Sequence, residues 1–289
     1  MAGGGKMSMG KLLAVLCSAA LCTVPVAAES LKDILKQGIN EGLQKKLGVD
    51  GDTVLVGTAS EEQERAIGQR VAGRLLGQYP LITDAKLQQY VNKVGRWVAQ
   101  QSDRPDLPWV FGVIDSPAVN AFAMPGGYVF VSKGLYQQLG SEAELAGVLG
   151  HEIAHVQQKH QLKLLRKGSW LQAGSAVLGK ELKQADKADA VIGKGAEMLA
   201  RKLDQGAEFE SDRIGIVLAA RAGYDPMGLT SVLQKIDALA EQQPNAVELL
   251  FTTHPSASAR LEAIDAAMGD KFESLKGSQT LPGRLIRLK

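Results

Sequence analysis

Residues 150–155 read Gly-His-Glu-Ile-Ala-His and lie inside an apolar pattern of helical spacing that covers about residues 142–158. On an α-helix, residues four apart share one face, so His151 and His155 can bind one metal ion together, with Glu152 beside it. A catalytic zinc typically keeps three protein ligands and one open position. This HExxH stretch therefore predicts a zinc hydrolase in which Glu152 is the general base.

The alternative is a chance HExxH on a surface helix. Residues 145–149 and 153–156 are mostly apolar, however, which predicts a buried helix. Two unpaired histidines and a glutamate would be costly in such a place. The apolar surroundings therefore favour one bound Zn²⁺ per chain.

The first 28 residues differ in character from the rest. Lys6 and Lys11 precede an apolar run over 12–26, and small residues end it at Ala28. This pattern predicts a signal peptide over 1–28, cleaved after Ala28. An uncleaved anchor is disfavoured because the run is shorter than the roughly 20 residues of a membrane span. A lipoprotein is disfavoured because leucine, not a small residue, precedes each cysteine.

Composition limits the class of protein further. The 289-residue chain is 45% hydrophobic, which suits one large domain with an appendage. The signal peptide carries both cysteines and two of the 33 Lys and Arg residues, so 31 basic residues face 31 acidic ones in the mature chain. Neutrality argues against nucleic acid as a partner. The chain has no Asn-x-Ser/Thr sequon, which favours a bacterial periplasm over a eukaryotic secretory route.

We expect an α+β fold that is mostly helical, with a three-stranded sheet packed beside the HExxH helix. Its four parts are the signal peptide (1–28), an N-terminal helix and linker (29–58), the metallopeptidase domain (59–270) and a C-terminal tail (271–289). Helices are expected over 60–77 and 84–101, and strands over 109–114, 120–124 and 126–132.

The predicted sheet offers a second functional feature. An exposed edge would let an extended peptide add itself as another strand, held by main-chain hydrogen bonds regardless of its sequence. Pro125-Gly126-Gly127 provides a tight turn between the last two strands. The alternative is that this turn merely closes a hairpin, and composition alone does not decide.

The segment from 163 to 202 alternates basic with small apolar residues, which predicts two helices that cover the site or form a lid. Peripheral membrane contact by this segment is left open. Residues 174–180 imitate the phosphate-binding pattern GxxxxGK, but Glu181 occupies the required Ser or Thr position and no strand precedes it. Nucleotide binding is therefore excluded.

A third ligand must lie elsewhere, because two histidines do not hold a catalytic zinc alone. The metzincin pattern HExxHxxGxxH is excluded, since Gln158 and Gln161 occupy its Gly and last His positions. His160 lies nine residues after His151, about 180° around a continuing helix. We therefore expect His160 to point away from the metal and into solvent.

The best candidate for the third ligand lies in residues 208–213, which open an apolar helix. Glu208 and Asp212 share one face of that helix, whereas Glu210 projects the other way. Glu208 would complete a His₂Glu ligand set, and Asp212 would accept the outward N–H of a ligand histidine. The alternative is an acidic helix start that answers the helix dipole.

Four motifs together carry a family resemblance: NAFAMPGGYVFVSKGL (120–135), HEIAH (151–155), EFESD (208–212) and THPSASARL (253–261). Over roughly residues 60–270 the chain resembles the metallopeptidase family of HtpX, the CAAX prenyl protease and the mitochondrial overlapping-activity protease, and most of all its soluble periplasmic members. Several spaced motifs are far more specific than HExxH alone.

The resemblance implies a gluzincin fold with zinc ligands His151, His155 and Glu208 and with Glu152 in catalysis. It also implies that the edge of the small sheet binds substrate, with Asn120, Ala121, Phe122 and Ala123 along the cleft.

The resemblance also brings the loop of His254 close to the metal. His254 would then stabilise the oxyanion or occupy the fourth zinc position and hold the enzyme latent; the alternative is a plain loop cap. Arg260 is interpreted as a structural ion-pair partner.

These features predict a zinc endopeptidase that cuts unfolded or damaged proteins of the cell envelope. A second hypothesis is a chaperone-like assembly factor that holds extended segments in the same cleft. A third is a structural zinc protein, which would need neither an open coordination position nor Glu152. The intact HExxH disfavours the third.

Overall fold

The computed structural model describes residues 60–164, 203–269, 271 and 278–288. Several predicted segments lie outside these residues. They are the signal peptide, the N-terminal helix and linker, the imitation of a phosphate-binding loop, and nearly all of the segment from 163 to 202. What was predicted for them stays a prediction.

The described residues alternate helices with one group of strands. The helices are α1 (Glu61–Gln78), α2 (Ala85–Ala99), α3 (Lys133–Gln138), α4 (Glu142–Gln157), α5 (Gln205–Arg221), α6 (Gly228–Gln242), α7 (Pro244–Thr253) and α8 (Ala257–Met268), and the strands are β1 (Val110–Ile114), β2 (Ala121–Met124) and β3 (Tyr128–Ser132). Residues 160–164 are also helical. The mostly helical α+β fold with a small sheet is confirmed.

The sheet has the order β1-β3-β2, with β1 parallel and β2 antiparallel to β3. β2 is therefore an edge strand. Gly126, in the turn between β2 and β3, has a φ of 77°, a left-handed conformation that glycine adopts at no steric cost. The sheet packs on α4 through β2 and β3, and on α2 through β1.

Helix α4 lies at the centre of the domain and packs closely against α5. Two glycines permit this approach. A Cβ atom added to Gly150 of α4 would lie 2.5 Å from the carbonyl oxygen of Gly215 in α5, and one added to Gly215 would lie 2.5 Å from the backbone nitrogen of His151. Because neither residue has a side chain, the backbones of the two helices touch at the HExxH motif.

The N-terminal end of α4 is held by residues 278–288, the C-terminal strap. The first N–H groups of a helix have no partner within it. Here the Glu142 N–H donates to the Leu281 carbonyl (3.3 Å) and the Ala143 N–H to the Thr280 carbonyl (3.1 Å). The Tyr136 hydroxyl donates to the Ile286 carbonyl at 2.7 Å, which fixes the far end of the strap.

The other end of α4 is tied to α1 by a buried carboxylate. Glu64 is 1% exposed and accepts hydrogen bonds from the Arg104 guanidinium (2.8 Å) and from the Gly126 N–H of the hairpin turn (3.1 Å). Lys159, just after α4, places its Nζ 3.4 Å from the same carboxylate. Burial acts to raise the pKa of Glu64, but Arg104 and the Gly126 N–H outweigh it and hold the pKa below its usual value.

Candidate metal centre

The two motif histidines turn towards each other on the buried face of α4. Their Nε2 atoms lie 2.9 Å apart, and both side chains are buried. On the opposite side of its ring, His151 places Nδ1 2.8 Å from Asp212 Oδ1. The Arg260 guanidinium binds Asp212 through two hydrogen bonds, at 2.9 Å from Nε and 2.5 Å from Nη2.

The charges behind His151 balance each other. Burial acts to raise the pKa of Asp212, but Arg260 and His151 outweigh it and hold the pKa well below its usual range. Asp212 is therefore an anion in contact with His151 Nδ1, with Arg260 as its counter-ion. The expected ion-pair role of Arg260 agrees with this geometry.

Glu208 projects from the first turn of α5 towards both histidines. Its Oε2 lies 3.6 Å from His151 Nε2, and its Oε1 lies 3.5 Å from His155 Nε2. Burial acts to raise the pKa of Glu208, but the adjacent imidazoles of His254, His155 and His151 lower it well below its usual range. The carboxylate is therefore charged and fully buried.

His254 reaches the same place from the loop that follows α7. Its Nδ1 lies 2.5 Å from Glu208 Oε2. Burial acts to lower the pKa of His254, but the Glu208 carboxylate outweighs it and the net effect is a raised pKa. One ligand atom from each of four side chains lies within 4.8 Å of the other three: those of His151, His155, Glu208 and His254.

The donor set fits a metal ion. Glu208 Oε1 is buried and has no hydrogen-bond partner among the described residues, and leaving such an oxygen without a cation or donor is costly. Two zinc ligands at about 2.0–2.1 Å in tetrahedral geometry lie about 3.3 Å apart, which is close to the separations seen here. Burial also lowers the pKa of His155 well below its usual value, so this ring is in the neutral form that binds metals.

A comparison with known protein families agrees with this arrangement. Residues 85–268, which contain all four side chains of the centre, match peptidase family M48. The chain belongs to peptidase family M48.

Individual relatives give the same family. The chain is 32% identical over 259 residues to the beta-barrel assembly-enhancing protease of Yersinia pestis, covering 86% of this chain and 52% of the relative. It is 33% identical over 213 residues to the Escherichia coli K12 protein of the same name, covering 71% and 43%. It is 28% identical over 252 residues to the mitochondrial metalloendopeptidase OMA1 of Arabidopsis thaliana, covering 84% and 50%. The chain thus spans about half the length of these relatives.

Glu152 and the edge strand border one cleft of this M48 chain. The cleft is lined by side chains and backbone of β2, α4 and the loop after α7, among them Ala121, Phe122, Ala123, Glu152, His155 and His254. Burial raises the pKa of Glu152 above that of an ordinary carboxylate. A carboxylate with a raised pKa is a better proton acceptor, which suits the general base predicted from the motif.

The edge of β2 opposite β3, which pairs with no strand of the described residues, borders this cleft. The Ser132 N–H donates to the Asn120 carbonyl at 3.0 Å, so in the alternating antiparallel pattern the backbone groups of Ala121 and Ala123 point away from β3. Asn120 Oδ1 accepts the Ala121 N–H at 2.9 Å. Its Nδ2 is buried and has no hydrogen-bond partner in the described part of the chain.

His160 is not where the sequence predicted it. The expectation of a solvent-exposed side chain that points away is wrong, because His160 is 4% exposed and its Nδ1 lies 2.9 Å from His155 Nδ1. The reason lies in the backbone: α4 ends at Gln157, and Lys159 has a φ of 55°. This left-handed residue changes the chain direction, so the helical angle from His151 no longer applies.

Two further residues of the centre were missed by the sequence interpretation. Ser211 Oγ lies 3.2 Å from His155 Nδ1, and Glu210 Oε2 lies 3.3 Å from His160 Nε2. The one available signal concerned the turn that brings His160 to these residues: the polar run of residues 157–159 interrupts the apolar pattern and is typical of a helix end.

Proposed function

We propose that this chain is a zinc-dependent endopeptidase that hydrolyses peptide bonds of unfolded or damaged cell-envelope proteins. The observation that carries the proposal is the buried Glu208 Oε1, which has no hydrogen-bond partner among the described residues and faces His155 in a centre that also contains His151. Zinc is the cofactor that suits two imidazoles and one carboxylate with a position left open. His151, His155 and Glu208 would hold it.

When bound, zinc supplies a Lewis acid that polarises the scissile carbonyl and lowers the pKa of an attacking water. Glu152 accepts the proton of that water and passes it to the leaving amine. Its burial supports this role, because a raised pKa brings the proton affinity of the carboxylate closer to neutral pH.

Substrate selection is assigned to the edge of β2. The outward Ala121 carbonyl and the outward backbone groups of Ala123 would bind an extended peptide as an added strand, in a manner that depends little on side chains. Asn120, whose buried Nδ2 has no partner among the described residues, directly precedes these groups, and Phe122 lines the cleft. Such main-chain recognition favours unfolded segments over folded proteins.

We propose that His254 either stabilises the oxyanion or occupies the fourth zinc position in a latent state. Its contact with Glu208 and its place in the cleft wall support both roles. Unchanged activity together with unchanged zinc affinity in His254→Ala would remove His254 from the proposal.

The location and domain division belong to the same proposal. The predicted signal peptide (1–28, cleaved after Ala28) leads to the periplasm, where residues 59–270 form the protease domain between an N-terminal helix and linker (29–58) and a tail (271–289). None of the helices in the described part of the chain has the length and apolar composition that crossing a bilayer requires.

A second candidate function is an assembly factor that holds extended segments without cutting them. The name of the Yersinia and Escherichia relatives, which joins barrel assembly to a protease, favours it. Glu152→Gln separates the two functions, since a holding protein keeps its function without a general base.

The test is degradation of an unfolded model protein by the zinc-loaded mature chain and its Glu152→Gln variant. Loss of a general base is expected to lower the rate by about 10²–10⁴-fold. Glu262→Gln, a change of the same chemistry at an exposed position of α8, should cut at the wild-type rate. Equal cutting by wild type and Glu152→Gln would refute the proposed mechanism.

A further inference from the structure

His160 is a buried imidazole that the proposed reaction does not use. Its two ring nitrogens face different partners: Nδ1 lies 2.9 Å from His155 Nδ1, and Nε2 lies 3.3 Å from Glu210 Oε2. The Glu210 side chain is 40% exposed. A continuous row of polar groups therefore leads from a candidate metal ligand to the protein surface.

The protons along this row follow from which nitrogen of His155 faces the metal centre. His155 Nε2 lies 2.9 Å from His151 Nε2 and 3.5 Å from Glu208 Oε1, so Nε2 is the ligand atom. The ring proton of a neutral, metal-binding His155 is then on Nδ1, and this N–H needs an acceptor. His160 Nδ1 serves as that acceptor when the proton of His160 is on Nε2, where it is donated to Glu210.

The backbone and a neighbouring hydroxyl hold His160 in this position. The left-handed Lys159 turns the chain inward directly before it, and residues 160–164 then continue as a helical stretch. Ser211 Oγ lies 3.3 Å from His160 Nδ1 and 3.2 Å from His155 Nδ1. A non-glycine residue in the left-handed region costs free energy, so the inward turn is maintained by the contacts that it creates.

We propose that His160 is the positioning residue of His155: it accepts the Nδ1 proton, and Glu210 fixes the tautomer of His160. The inference rests on the proposed metal site but concerns groups that do not touch the metal. Outer hydrogen-bond partners fix the tautomer and ring orientation of a ligand histidine, and their loss typically lowers metal affinity by about 10–100-fold.

The experiment measures the Zn²⁺ dissociation constant by competition with a chromophoric chelator. His160→Leu removes the acceptor, and we expect it to weaken zinc binding by about 10–100-fold. His160→Asn places a carbonyl oxygen where Nδ1 lies and should restore most of the affinity. His160→Gln carries its amide one methylene farther out and should not.

Two further variants separate positioning from packing. Glu210→Ala should weaken zinc binding less than His160→Leu, because it removes only the group that sets the tautomer. Leu162→Ala opens a cavity in the same stretch and should lower the melting temperature of the zinc-free chain while leaving zinc affinity unchanged. The visible spectrum of the Co²⁺-loaded chain should change in His160→Leu and not in Leu162→Ala.

The outcomes distinguish this inference from the proposed function. If the wild-type chain binds no zinc, both fail. If it binds zinc and His160→Leu binds equally well, or if Leu162→Ala weakens binding as much as His160→Leu, only the positioning role of His160 is overturned. Should His160→Leu not fold, equal affinities of wild type, Glu210→Ala and His160→Gln overturn it.

Discussion

The two candidate zinc ligands on α4 lie one turn apart, yet they are supported in opposite ways. Behind His151 stands a closed, buried ion pair, in which Asp212 is 1% and Arg260 4% exposed. On the far side of His155 lies the buried ring of His160, followed by Glu210 with a partly exposed side chain. The His151 side therefore depends on charge balance in the buried interior, whereas the His155 side depends on hydrogen-bond geometry and backbone direction.

Asp212→Ala is expected to have the largest effect, and it tests whether the His151 side depends on charge balance. The change leaves the Arg260 guanidinium buried without a counter-ion, and breaking a buried pair in this way costs about 3–5 kcal/mol. We expect the free energy of unfolding of the zinc-free chain, measured in urea, to fall by that amount. Asp212→Ala with Arg260→Met removes the unpaired charge and should recover much of the loss. Unchanged stability of the single variant would show that Arg260 is solvated there.

A smaller effect is expected from Glu64→Gln, which loosens the His155 side through Lys159. At neutral pH the variant should lose about 1.5–3 kcal/mol, the range for hydrogen bonds to charged groups. The folded pKa of Glu64 is lowered, so its contribution is complete above its unfolded pKa of about 4.3 and is lost as the pH falls towards the folded value.

Urea unfolding of wild type and Glu64→Gln between neutral and acidic pH tests this pH dependence. The difference between their free energies of unfolding should narrow as the pH falls below about 4.3. Other buried carboxylates titrate in both proteins and cancel in the difference. A gap that widens on acidification would mean that burial, not Arg104, dominates the pKa of Glu64.

The smallest effect is expected from Ser211→Ala, which tests the hydrogen bonds on the His155 side alone. Its hydroxyl contributes hydrogen bonds to two neutral rings, each worth about 0.5–1.5 kcal/mol. Loss of the hydroxyl should lower the free energy of unfolding by about 1 kcal/mol. Zinc affinity should change little, because His160 still accepts the Nδ1 proton of His155. A loss of zinc affinity equal to that of His160→Leu would make Ser211 the true acceptor.

Local patterns predicted much of this molecule. Helices α1 and α2 begin within one residue of their expected starts, with Ser60 and Asp84 as their caps. The i, i+4 spacing of the motif histidines, and of Glu208 and Asp212, correctly predicted which side chains share a helix face. Such features depend only on helix geometry, which is the same in every protein.

Features that depend on how elements meet were beyond the sequence. Nothing in it indicated that Gly150 and Gly215 would lie back to back, although this contact brings Glu208 within reach of the histidines. The position of His160 depends on one left-handed residue, Lys159, whose conformation its residue type does not favour. Tertiary contacts decided both.

The candidate ligands also come from distant parts of the chain. Glu208 follows His155 by 53 residues, yet their ligand atoms are 3.5 Å apart. In the unfolded chain these side chains end a long loop, and an ion that joins them removes much of the entropy of that loop, as a disulfide does. Both cysteines lie within the first 28 residues, so in the rest of the chain a bound ion is the available cross-link. The free energy of unfolding would then rise with the concentration of free metal.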